Sequence, residues 1–233
     1  DDLTNAESAR KDKEEMNRNQ QIIRTSVVGI AANLFLAAFK AVAGWVAGSV
    51  AIVMDAVNNL SDALSSVITI VGTKLSEKPA DRNHPFGYGR VEYFSAIIIS
   101  VIVLSTGILS LVESVKKIFN PTNPSYTAVT LTIIIVAIVV KIVLGWYVKK
   151  QGARLQSNAL EASGADATFD AVVTLSTLVS AGIMLFTGVN LDGILGSIIS
   201  LVIIKAGIEM IGAPVGQLLG KSIPKDMMHH IMQ

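Results

Sequence analysis

Along the 233 residues, apolar positions gather into six long runs: Ile22–Val46, Ser49–Leu75, Val91–Val115, Tyr126–Val148, Asn158–Thr187 and Leu191–Ile211. Each supplies the roughly 20 mostly apolar residues that a helix needs to cross a bilayer. An open sheet cannot satisfy its backbone in lipid, and the alternating pattern of a membrane barrel is absent. The predicted fold class is therefore an all-α membrane protein with six transmembrane helices. The breaks between runs carry turn chemistry: "AGS" at 47–49, "KPADRNHPFGYGR" at 78–90, "NPTNPS" at 120–125 and "TGVN" at 187–190. Three parts follow: a polar N-terminal segment over 1–21, a membrane domain over 22–212 and a tail over 213–233.

Basic residues orient the bundle. Arg10, Lys11, Lys13, Arg18 and Arg24 precede or open the first run; Lys74, Lys78, Arg82 and Arg90 flank the second link. Lys149, Lys150 and Arg154 follow the fourth run, and Lys221 and Lys225 lie in the tail. All of these fall on one side, against only Lys116 and Lys117 on the other. The positive-inside rule then predicts a cell-membrane protein with cytoplasmic N- and C-termini, and membrane lipid as the partner of the basic 10–24 stretch.

Composition agrees: 51% hydrophobic, 16% charged, mean hydropathy +0.56. A net charge of +1 gives no electrostatic footprint for nucleic acid. Without cysteine there is no disulfide and no thiolate ligand or nucleophile. The polar start is not a signal peptide by pattern. Neither HExxH nor GxSxG surrounds a plausible catalytic group, so the sequence points away from an enzyme.

The second run is interrupted by "MDAVNNLSDALSS", residues 54–66. A charge at the centre of a membrane helix costs at least ~2.5–3.5 kcal/mol, so such residues are expected to have a task. Asp55, Asn58, Asn59 and Asp62 are related by steps of three, four and seven and form one stripe, which Ser66 continues. Asp62 lies midway along its run. The fifth run repeats the device in "SGADATFDAVV": Asp166 and Asp170 stand four apart, with Ser163 and Thr174 extending the stripe. If the two stripes face each other, Asn58, Asp62, Asp166 and Asp170 form an oxygen-rich cluster. Three carboxylates cannot share a dry site without a cation or protons, which is what metal/proton exchange requires. Cross-helix hydrogen bonding accounts for a single Asn but poorly for two such pairs.

No His or Cys lies in any run; the histidines are His84, His229 and His230. Oxygen ligands suit manganese first, then ferrous iron or magnesium, and disfavour zinc and cadmium. Asp55 reads as an acid on the exit path or a partner for Lys40 or Lys141. Glu113, Asp192, Lys205 and Glu209 read as residues near helix ends that reach the interface.

"DAVNNLSDALSS" and "DATFD" resemble the paired-ligand signatures of the cation diffusion facilitator family of divalent-metal efflux transporters. "ADRNHPFGYGRVE" (80–92) and "AANLFLAAFKAVAG" (31–44) are similar to its second link and first helix. The resemblance covers the chain from about Ile22 onward. It implies a homodimer that exports metal from the cytoplasm in exchange for protons, with Asn58, Asp62, Asp166 and Asp170 as ligands. An Asn first and an Asp third resemble the manganese-exporting branch; an iron or broad-range exporter, or an uncoupled metal channel, remain alternatives. Zinc-transporting members can hold a second ion in the link with one Asp and two His. Asp81 and His84 match, but the third position is Tyr88, a poor ligand near neutral pH. The family also carries a ferredoxin-like cytoplasmic domain, which would begin about where residues 213–233 lie.

Overall fold

The computed structural model describes residues 2–46, 50–82, 84–85, 87–120, 128–189 and 191–219. The links at 47–49 and 121–127, and the tail with Lys221, Lys225, His229 and His230, lie outside the described residues.

Six helices follow one another: α1 (Asp2–Val46), α2 (Val50–Ser76), α3 (Val91–Phe119), α4 (Ala128–Leu155), α5 (Asn158–Thr187) and α6 (Asp192–Leu218). Among the described residues there is no strand, and the chain is an all-α membrane protein. Five helices are long and apolar enough to cross a membrane. The exception is α2, which is long enough but carries the polar stripe in its middle.

Several helices run past the apolar stretches read from the sequence: α3 to Phe119, α4 to Leu155, α6 to Leu218, and α1 most of all at its start. The polar segment over 1–21 is not a separate piece, because α1 begins at Asp2 and runs unbroken into the first span. Hydropathy marks where a helix can enter lipid, not where it starts. The segment 2–21 contains no Pro or Gly to stop it.

The helices pack most closely in three pairs: α1 with α2, α3 with α6, and α4 with α5. Small residues bring the paired backbones together, as expected where packing rather than water drives association. A Cβ at Gly164 of α5 would lie 2.5 Å from the backbone nitrogen of Lys149 in α4, so only glycine permits this approach. In the first pair, a Cβ at Gly29 would meet the Ser66 hydroxyl at 2.6 Å. By contrast, α2 and α5 touch only sparsely.

Arg18 ties the N-terminal ends of these pairs together. Its guanidinium donates to both carboxylate oxygens of Glu92 at the start of α3, at 2.9 and 3.1 Å. It also donates to the carbonyls of Leu155 (2.7 Å) and Gln156 (3.2 Å) in the short α4–α5 link. At the opposite end, Lys117 of α3 donates to Asp192 of α6 at 2.8 Å.

Candidate metal centre

The two stripes do look toward a common region, but a residue of α4 stands between them. The Lys141 ammonium donates to Asp62 Oδ2 at 2.7 Å and to Asp170 Oδ2 at 2.8 Å. The Lys141 side chain is 6% exposed, and those of Asp62 and Asp170 are 14% and 18% exposed. A lysine this deep is tolerable only because two carboxylates meet its charge. The readings of Asp55, as an acid on the exit path or a partner for Lys40 or Lys141, fall on a side chain that lies outside the described residues. Among the described residues, no three His, Cys, Asp or Glu side chains are drawn close enough to hold a metal ion.

Asp166 is buried and makes no hydrogen bond or ion pair with the described residues. It faces two spaces. The larger is a 390 Å³ cavity whose lining includes Asn58, Asn59, Glu113, Lys141, Asp166, Asp170 and Thr174. It lies on the side of the bundle where α1 ends and α2 begins. The smaller is a void of only 10 Å³ toward the other end, bounded by Asn33, Asp62, Ser66, Lys141, Ser163 and Asp166 among others. That volume is about what one water, or an ion of similar size, needs. Of the four residues singled out, Asn58, Asp166 and Asp170 thus border the larger cavity, while Asp62 joins Asp166 on the smaller one.

The sequence reading gave three residues of this region no part in the site. Lys141 is the first. Asn33 is the second: it is buried in α1, and beside the small void its Oδ1 has no hydrogen-bond partner among the described residues. Glu113 is the third, lining the large cavity instead of merely marking a helix end. Lys141 and Asn33 each stand without polar neighbours three or four residues away that would have flagged them. Asn59, on the α2 stripe, is also buried, with no partner for its Nδ2 among the described residues.

A polar vestibule of 650 Å³ lies at the N-terminal end, lined by Glu15, Arg18, Glu92 and Glu161 among others. The Arg18 clasp is part of its wall.

The link between α2 and α3 forms its own closed cluster. Tyr88 donates its hydroxyl to Asp81 Oδ2 at 2.8 Å and lies 2.7 Å from His84 Nδ1. The His84 backbone N–H donates to Asp81 Oδ1 at 2.6 Å. The phenol therefore takes up the side-chain oxygen and nitrogen that a second metal would need. Its hydrogen bond to Asp81 also raises the Tyr88 hydroxyl above the usual phenol range.

Comparison with known proteins agrees with this architecture. The model of the cation efflux transmembrane domain matches residues 26–219. The chain is 29% identical over 220 residues to manganese efflux system protein MneP of Bacillus subtilis, covering 90% of this chain and 73% of that protein. It is 29% identical over 180 residues to manganese efflux system protein MneS of the same organism, covering 77% and 62% respectively. It is 28% identical over 222 residues to metal tolerance protein C1 of Arabidopsis thaliana, covering 88% of this chain but 47% of that longer protein. A transmembrane match over most of the chain, on a bundle with acids buried at its centre, shows that the protein belongs to the cation diffusion facilitator family of metal efflux transporters.

Proposed function

We propose that the chain exports a divalent metal, manganese first, from the cytoplasm in exchange for protons. The oxygen-ligand site is Asn58 and Asp62 of α2 with Asp166 and Asp170 of α5. The observation that carries this reading is Asp166, a buried carboxylate with no hydrogen bond or ion pair among the described residues, facing both the large cavity and the ion-sized void. Such a group must be met by a cation or a proton, and alternation between the two is the exchange. Asn58 contributes a neutral oxygen, which moderates the negative charge of the site and favours release.

With the N-terminal end cytoplasmic, as the basic flanks argue, the large cavity faces outward and the Arg18 clasp closes the inner side. The carrier in this form is ready to give up metal and take on protons. Rocking of the bundle then exposes the site to the vestibule lined by Glu15, Glu92 and Glu161. Membrane lipid and a second copy of the chain, as a homodimer, complete this reading. The oxygen-only ligand set and the names of the Bacillus relatives support manganese over zinc. An iron or broad-range divalent exporter would use the same ligands.

Flux in proteoliposomes tests it. Mn²⁺ transport should exceed Zn²⁺ transport, respond to a pH gradient, and vanish in Asp62→Ala and in Asp166→Ala with the protein still folded. Retained flux in both variants would remove the site. Flux indifferent to the gradient would identify an uncoupled channel, and preference for Zn²⁺ would remove the assignment of the metal.

A further inference from the structure

We propose that Lys141 is a tethered rival of the transported ion. Its ammonium holds the place between Asp62 and Asp170 when the site is metal-free, and a metal that binds those carboxylates must displace it. The proposal rests on the reading of Asp62, Asp166 and Asp170 as the transport site.

The geometry is that of a bridging cation. One Nζ reaches one oxygen on each of two helices, at 2.7 Å on α2 and 2.8 Å on α5. A divalent ion would bridge the same two carboxylates, at the ~2.0–2.6 Å typical of hard cations and oxygen. Both cations cannot sit there, because like charges repel strongly where water is scarce.

The displaced ammonium has somewhere to go. Lys141 already lines the 390 Å³ cavity, whose wall also offers Thr106, Ser110 and the carboxylate of Glu113. The side chain can swing into this polar space and swing back when the metal leaves.

Two consequences for specificity follow. A univalent ion brings no more charge than the ammonium it would have to expel, so Na⁺ and K⁺ are rejected without a size filter. A divalent ion wins on charge, yet its release is assisted because the rival is covalently attached and never diffuses away. Lys141 thereby acts on the ion itself and is not only a structural counter-charge.

The test is Mn²⁺ binding to the full chain in lipid nanodiscs. Lys141→Met should tighten binding about tenfold or more, the scale expected when a close charge is removed, and should slow turnover at saturating Mn²⁺. Lys141→Arg, which keeps the charge, should bind closer to the original. Removing a purely structural lysine would weaken binding, so unchanged or weaker binding in Lys141→Met overturns the proposal. Asp166→Asn separates the two readings. If it abolishes binding while Lys141→Met fails to tighten it, the site stands and the rival falls; if it leaves binding intact, the site itself falls. Should Lys141→Met not fold, the unsubstituted protein decides. Saturating Mn²⁺ should raise amine acetylation at Lys141 severalfold by peptide mass spectrometry, and an unchanged rate overturns displacement.

Discussion

The Arg18 clasp should set how often the N-terminal side of the bundle opens. The perturbation is Arg18→Ala. It removes a forked pair to Glu92 and two hydrogen bonds to the Leu155 and Gln156 carbonyls. The Arg18 side chain is 32% exposed and that of Glu92 12%, so the pair is worth more than a free surface bridge but less than a buried one. Allowing about 1 kcal/mol for the pair and about 0.5 kcal/mol for each carbonyl, which water can partly re-satisfy, the total is about 2 kcal/mol. That is about a 30-fold shift in the closed-to-open equilibrium.

Because the chain lacks cysteine, Ser163→Cys places a single thiol beside the small void. Its rate of reaction with a hydrophilic maleimide, supplied from the N-terminal side, measures opening. The rate should rise about 30-fold in the Arg18→Ala background if opening is a rapid pre-equilibrium. Arg18→Lys should fall between, since an ammonium lacks the planar fork that reaches five acceptors, Asn19 Oδ1 included. A rate within about twofold of the parent would mean that the clasp does not hold this side shut.

Two other outcomes are expected. Joint replacement Asn58→His and Asp166→His should move preference from manganese toward zinc, because imidazole suits zinc, and competition between the two ions in the flux assay reads this directly. Unchanged preference would place selectivity outside these ligands. In the α2–α3 link, the raised Tyr88 phenol means that its bond to Asp81 is fully present below the ordinary phenol range and is lost only as pH rises through the higher folded value. Asp81→Asn should lower the Tyr88 titration midpoint, followed by phenolate absorbance against a Tyr88→Phe control; no change would break the link between the two residues.

What the sequence disclosed was what local spacing encodes. Six helices were legible, five of them because hydrocarbon thickness fixes the length of an apolar run, and the α2 and α5 stripes because steps of three and four put residues on one helix face. The start of α1 was misplaced because its first turns are helical without being apolar. Lys141 was noticed only as one alternative partner for Asp55, not as the bridge between Asp62 and Asp170. It stands alone in the apolar middle of α4, and which acid it meets depends on how α4 lies against α2 and α5. Asn33 escaped for the same reason: its meaning comes from the void beside it, and no pattern along α1 announces that void.

The glycine contact that presses α5 onto α4 has a mechanical consequence. Helices in backbone contact cannot slide past one another without forcing atoms together, so Lys141, Asp166 and Asp170 move as one block. Asp62 belongs to the other block, with α1, where Gly29 admits Ser66. Any shear between the blocks therefore changes the distance from Asp62 to the α5 acids, while the spacing of Asp166 and Asp170 is kept. An ion held across that seam would lose its ligands from one side first. Coordination number, rather than the bending of any helix, would then be the quantity that the conformational change spends.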